Sequence, residues 1–241
     1  MPGYEPPHGS FPSAFQFERT RSMRHAVYRL AKLSLRERIL DVGSGEGLVA
    51  AEMARRTGRV IYALDLSPAR PGPTGVRAVA GDAHALPFQP ETLDAVAFAF
   101  VLLWLKDPAQ ALAEARRVLR PGGAVLILAE PDLCSRTDEP DTGLGRAIVR
   151  AVECSGGHPD AGSRVANWLG DEGFRAEVRR STAQWAAITN PAEADHELGF
   201  LRERAGLSPG EIRDMARQER DAALAGRRRV LLPVYFGVGI K

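Results

Sequence analysis

Cysteine is scarce in this chain of 241 residues: Cys134 and Cys154 stand far apart, with no C-x-x-C pair and no histidine at zinc-ligand spacing. That excludes a disulfide framework and a zinc-ribbon type of metal site, and it fits reduced thiols in a cytoplasmic protein. Long hydrophobic runs are lacking too. The longest, over residues 95–105, falls well short of the roughly 20 residues that span a bilayer, so no membrane span is expected. Residues 1–12, rich in proline and glycine, have no apolar core of a secretion signal, and residues 1–14 read as a flexible arm. Charge of one sign is missing as well: 32 basic residues face 30 acidic ones, a formal net charge of +2, without the broad basic surface of a dedicated nucleic-acid binder. The arginine triplet Arg227, Arg228 and Arg229 reads as a solvated helix end or turn. No repeat or low-complexity block interrupts a composition, 44% hydrophobic and 26% charged, that suits one sizeable globular domain.

What is present starts at residues 39–47, where Ile39, Leu40 and Val42 suit a buried strand that runs into glycine at every second position, Gly43, Gly45 and Gly47. Helical spacing resumes at Leu48, with Arg55 and Arg56 in the last turn. A strand, a glycine turn and a helix N-terminus offer close approach to the main chain and unpaired N–H donors, so an anionic or polar small molecule is expected here. The spacing is G-x-G-x-G with no lysine, which disfavours both the dinucleotide pattern G-x-G-x-x-G and the triphosphate loop G-x-x-x-x-G-K-[ST]. With Asp41 before it, DVGSGEG resembles the first motif of the class I, Rossmann-like S-adenosylmethionine-dependent methyltransferases.

The next segments extend that resemblance. Residues 59–65 read as a second strand ending in Asp65, at a distance from Gly47 that suits a parallel βαβ unit. A carboxylate there can accept from both hydroxyls of a ribose; alternatively, Asp65 or Ser67 caps a helix opened by Pro68. The resembled proteins continue that helix for several turns. Here Pro71, Gly72, Pro73 and Gly75 break it almost at once, so a single turn or an extended loop is expected. Residues 76–80 form a third strand followed by Gly81, Asp82 and Ala83, and the resemblance implies that Asp82 accepts the adenine amine and the Ala83 N–H donates to the ring. His84, though tempting as a base, lies on the cofactor side of the resembled site and reads as a surface or supporting residue. The resemblance adds Ser44, Leu66, Phe98 and Ala99 to the cofactor set.

Residues 92–100 form a fourth strand, buried on both faces. Its end lacks the [DNS]-P-P-[YFW] of enzymes that methylate DNA-base amines, the Pro-Cys of cytosine-5 enzymes and the chelating carboxylate of metal-dependent catechol enzymes. Leu103 and Trp104 stand where related enzymes often carry a polar pair, leaving an apolar mouth suited to an apolar or aromatic acceptor; Trp104 reads equally as a core aromatic. Asp107 and Pro108 open a helix that runs to the stop signal at residues 120–123. A fifth strand over 124–129 leads to Glu130 and Asp132, which point toward any substrate and are either proton acceptors or caps of the next segment.

Residues 15–35 read as a leading helix, in which the resemblance offers Arg24 or Tyr28 to the cofactor carboxylate and the plain reading is a cover for the sheet. Residues 36–130 form the cofactor-binding core of a single domain over 15–241, and 131–165 and 181–228 are helical lid insertions. A sixth strand is expected over 174–180, helices near 192–205 and from the capping box Ser208-x-x-Glu211, and a last strand over 230–240. The implied fold is α/β, a doubly wound seven-stranded sheet ordered 3-2-1-4-5-7-6 with strand 7 antiparallel. The implied cofactor is S-adenosyl-L-methionine, with S-adenosyl-L-homocysteine as product, and the implied partner a small-molecule substrate, with no nucleic acid and no metal. Methyl transfer by in-line displacement is the leading reading, with Glu130 or His158 as base if one is used. A non-catalytic S-adenosylmethionine-binding protein shares every cofactor residue, and a nicotinamide oxidoreductase is disfavoured by the turn.

Overall fold

The computed structural model describes residues 14–67, 73–181, 184–185, 198, 201 and 206–241. The apolar segments become β1 (Ile39–Val42), β2 (Ile61–Asp65), β3 (Val76–Ala80), β4 (Leu93–Ala99), β5 (Leu119–Pro131), β6 (Thr137–Glu139), β7 (Arg175–Ser181), β8 (Gln184–Trp185), β9 (Arg229–Leu231) and β10 (Val234–Ile240). Between them lie α1 (Ala14–Arg19), α2 (Arg21–Leu30), α3 (Leu48–Thr57), α4 (Pro108–Val118), α5 (Leu144–Cys154), α6 (Ala161–Asp171) and α7 (Pro209–Leu224). One sheet has the order β3-β2-β1-β4-β5-β10-β7. Strands β1 to β5 pair in parallel and β10 runs antiparallel to both β5 and β7, so β7 and β10 are the expected sixth and seventh strands.

Alternation along the central strands separates two cores. Val96 and Phe98 of β4, with Val125 and Ile127 of β5, pack with Leu112 of α4 and Val165 of α6. Ala95, Ala97 and Ala99 face the other way, with Ile39 and Ile61, toward Val27 of α2 and Met53 of α3. Small side chains on that face let the helices approach the sheet closely. Each large side chain buried here contributes about 1.5–3 kcal/mol relative to exposure. Asp107 caps α4 by accepting the Gln110 amide at 3.0 Å, with Pro108 in the first turn. The capping box at α7 is present in both directions, Ser208 with Glu211.

Three differences from the sequence reading have physical causes. The leading helix is two helices broken at Thr20, whose hydroxyl donates back to the Gln16 carbonyl at 2.7 Å. The last strand divides at Pro233, which has no N–H to give a ladder: its first part, β9, pairs with β6 and β8 in a separate three-stranded sheet, and the second, β10, enters the main sheet. Strand β5 begins at Leu119, through the expected stop signal. The helix expected near 192–205 and the crossover at 68–72 lie largely outside the described residues, as does the arm over 1–12. Among the described residues, no helix is long and apolar enough to cross a membrane.

Candidate active site

The C-terminal ends of β1, β2, β3, β4 and β5 meet at one edge of the sheet, where parallel α/β folds bind ligands. The glycine turn leaves β1 with Gly43, Gly45 and Gly47 all at positive φ, 65°, 50° and 77°. A side chain at Gly43 would also meet Val101 Cγ2 at 2.6 Å, whereas nothing lies within 4 Å of the equivalent point on Gly45. The turn is therefore closed beneath Gly43 and open above Gly45. Gly47 is the N-cap of α3 and makes no side-chain cap, so the helix start keeps N–H groups for a ligand.

Main-chain and carboxylate bonds draw the neighbouring strand ends onto this turn. The Ser44 amide donates to the Leu64 carbonyl at 3.0 Å, and the Gly45 amide donates to Asp65 Oδ2 at 2.9 Å. Asp65 Oδ1 accepts the Ser67 amide at 3.0 Å, and the Asp65 carbonyl accepts the Gly81 amide at 3.0 Å. Leu66 beside it is half exposed, a flat apolar surface at the rim. Asp82 follows directly, its Oδ1 accepting both the His84 amide at 2.9 Å and the His84 ring Nδ1 at 2.7 Å. Partial burial raises the Asp82 carboxyl, but the two bonds from His84 outweigh it and hold the group below its ordinary value. His84 thus supports Asp82, and Ala83 is buried between them.

Asp41 lies under the turn, fully buried, with Oδ2 lacking a hydrogen-bond partner. Burial pushes its carboxyl up to about 8, the Asp65 charge adds to that, and the Ala50 amide opposes it. At the end of β4, Phe98 and Ala99 are buried and Phe100 takes a positive φ of 56°. A short helical turn over Leu102–Trp104 follows, placing Leu103 and Trp104 in the apolar core. Glu130 at the end of β5 is fully buried: its Oε1 accepts the amides of Val101 at 2.8 Å and Leu102 at 3.1 Å. Burial pushes the Glu130 carboxyl up to about 7 against those bonds.

Other candidates are held elsewhere. Arg24 and Tyr28 both donate to Glu52 Oε2 of α3, at 2.7 and 2.9 Å, so the leading helix is tied to its neighbour helix. Asp132 accepts the amide and hydroxyl of Ser135 at 3.2 and 2.9 Å, the capping role. The His158 ring contacts the Lys106 carbonyl at 3.3 Å and stacks edge-on to Trp168, while its amide donates to the Leu103 carbonyl at 2.7 Å. Sequence reasoning missed Val101, whose contact with Gly43 has no local signature. It also missed Glu114 and Arg117 of α4, which clamp the turn after Asp82 through Leu86 N and O at 2.8 and 3.0 Å; their three-residue spacing on one helix face was the available signal. Among the described residues no cluster of three histidine, cysteine or acidic side chains could hold a metal.

The donor set fits an adenosyl amino acid. Uncapped N–H groups at α3 suit its carboxylate, the orphaned Asp41 oxygen suits a cationic or N–H group, and Asp65 and Asp82 are acceptors on adjacent strand ends. A family profile described as a methyltransferase domain matches residues 40–127. A 37.1 kDa protein in transposon Tn4556 of Streptomyces fradiae is 43% identical over 197 residues, 76% of this chain and 56% of that protein, so the chain spans little more than half of that relative. Demethylmenaquinone methyltransferase of Thermobifida fusca is 38% identical over 186 residues, 70% of this chain and 78% of that enzyme. Phosphoethanolamine N-methyltransferase 2 of Haemonchus contortus, solved with phosphomonomethylethanolamine and S-adenosylhomocysteine, shares the fold with a TM-score of 0.58 at 19% identity, over 91% of this chain and 53% of that one. These relatives, with a strand-end donor set that fits an adenosyl amino acid, place the chain among the class I S-adenosyl-L-methionine-dependent methyltransferases, to which it belongs.

Proposed function

We propose that the chain methylates a small apolar or aromatic acceptor by in-line displacement. The observation that supports this reading is the apolar character of the chain after β4: Leu103 and Trp104 pack into the core with Leu133, Leu144 and Ile148, so the strand end carries an apolar cluster in place of a polar pair. A relative named for demethylmenaquinone supports the same choice of acceptor. The donor, when bound, supplies a methyl group on a positively charged sulfur. Asp41, Gly43, Ser44, Gly45 and Gly47 would hold it at the turn, Asp65 and Leu66 at the second strand, and Gly81, Asp82 and Ala83 at the third, with Phe98 and Ala99 behind.

The chain's own contribution is alignment and dryness. Reacting atoms held about 3–3.5 Å apart can gain several kcal/mol from orientation alone. Charge disperses as the methyl group moves, so an apolar pocket helps a neutral or anionic nucleophile. Asp132 is engaged as a cap, and Glu130 is sealed from solvent with one oxygen on backbone amides. Both facts favour an acceptor that ionises easily, a phenol or an activated carbon, over an alcohol that needs a strong base. The test is transfer of a labelled methyl group to a panel of phenols, hydroquinones, amines and alcohols. Turnover with phenols or hydroquinones is expected; turnover restricted to charged amines would overturn the reading.

A further inference from the structure

The turn that follows β4 is over-determined. The β4 and β5 pairing shifts register between Phe98 and Ala99, and the next residue, Phe100, adopts a left-handed backbone that a bulky side chain rarely takes. Such a conformation persists only where surrounding bonds impose it. Here the Phe100 amide donates to the Ala129 carbonyl at 2.7 Å, and the next two amides, Val101 and Leu102, converge on a single oxygen of Glu130. Val101 is thereby pressed onto the Gly43 backbone, into the space that any side chain at Gly43 would need.

We propose that Glu130 is a positioning residue of the donor site: its carboxylate oxygen captures the Val101 and Leu102 amides and so seats Val101 under the glycine turn. It acts through Val101 and takes no proton from the acceptor. The residue is fully buried, with Oε1 bonded to main chain and Oε2 also buried, so neither oxygen is presented at the surface. Because its carboxyl is pushed up to about 7, the neutral acid is well populated near neutrality, and a neutral carbonyl oxygen accepts the same two amides. A glutamine should therefore replace it.

This rests on the donor assignment, and it is tested without any acceptor, by calorimetric binding of S-adenosyl-L-homocysteine alongside thermal melting. E130A should weaken binding at least tenfold and V101A at least threefold, while E130Q stays within threefold of the unaltered chain. The control is Asp94, whose Oδ2 accepts the Glu37 and Arg38 amides, both at 2.9 Å, at the opposite end of the sheet. D94N should lower the melting temperature and leave the affinity unchanged. Unaltered affinity in folded E130A, which is what a proton-acceptor role predicts, would overturn the proposal, as would E130Q binding as weakly as E130A or D94N weakening binding equally. Should E130A fail to fold, V101A decides: unchanged affinity there overturns the seat under Gly43. An unaltered chain that ignores S-adenosyl-L-homocysteine would overturn the donor assignment and the proposal together.

Discussion

The Gly45 amide donates to Asp65 Oδ2 at 2.9 Å, so the open point of the glycine turn and the carboxylate that ends β2 are one bonded unit. The Asp65 carbonyl extends the unit to β3 by accepting the Gly81 amide, one residue before Asp82. Three motifs separated along the chain thus share one edge through main-chain and carboxylate bonds, and the proposed donor site is preformed in the protein's own hydrogen bonding.

That unit predicts the effect of D65A. The change removes the proposed ribose acceptor and also releases the Gly45 and Ser67 amides, loosening the turn proposed to frame the donor. Binding of S-adenosyl-L-homocysteine by calorimetry should weaken at least tenfold, about 1.4 kcal/mol or more. Affinity within a factor of two of the unaltered chain would show that Asp65 plays no part in holding the adenosyl group.

The glycines should separate by what lies over them. At Gly45, alanine meets open space and only the left-handed backbone opposes it, a cost of about 1–2 kcal/mol. Alanine at Gly43 adds a clash with Val101 at 2.6 Å, and overpacking of this kind costs a further 1–3 kcal/mol or so. Urea denaturation should therefore rank G43A below G45A in stability. Equal loss in both would mean that Val101 moves aside freely, which would also weaken the case for its role beneath the turn.

Strand positions were legible because alternating and continuous apolar runs name strands, whereas their order in the sheet was implied by the resemblance to the methyltransferase family and not by the runs themselves. The glycine turn and Asp65 were legible because their spacing encodes a βαβ unit. Arg24 and Tyr28 show what was not. Their helical spacing marks an inward face, but Glu52, which captures both, lies more than twenty residues away on another helix, and nothing local announces it. The small sheet of β6, β9 and β8 was hidden likewise. Its strands are two or three residues long, too short for a period, and they pair across more than forty residues of chain. Glu130 was legible as a residue at the right edge, whereas its bonds to Val101 and Leu102 depend on the register shift in β4.

Two buried acids should make stability fall with rising pH. Asp41 and Glu130 are pushed up to about 8 and about 7, in each case chiefly by burial. An acid whose folded value is raised contributes stability that is fully present below its unfolded value, about 4, and lost as pH rises through the folded one. Glu52, Asp94 and Glu114 behave oppositely. Their folded values are lowered, so their contribution is complete above about pH 5 and adds no slope beyond it. The melting temperature should decline from about pH 5 to about pH 8, and D41N should flatten that decline. Parallel curves for D41N and the unaltered chain would show that Asp41 is not the source.

A buried charge cluster joins both expected lid insertions and gives the last expectation. Arg228, of the triplet read as solvated, has no exposed surface. It pairs with Glu219 of α7 and, at 3.0 Å, with Asp138 of β6, which also pairs with Arg136 at 2.9 Å. Among the described residues two cations face two carboxylates here, and burial of either sign is tolerated while its partners are kept. R228M leaves Glu219 and Asp138 without their shared partner, and breaking a buried pair in this way costs about 3–5 kcal/mol. Pairing that change with E219M removes both partners of the closest contact, and the double variant should recover part of the loss. Chemical denaturation measures both, and amide exchange should localise the weakening to β6, β9 and α7, sparing β1 and β4. Uniform exchange across the main sheet in R228M would show that β6, β9 and α7 unfold with the whole domain and have no separate stability for the cluster to control.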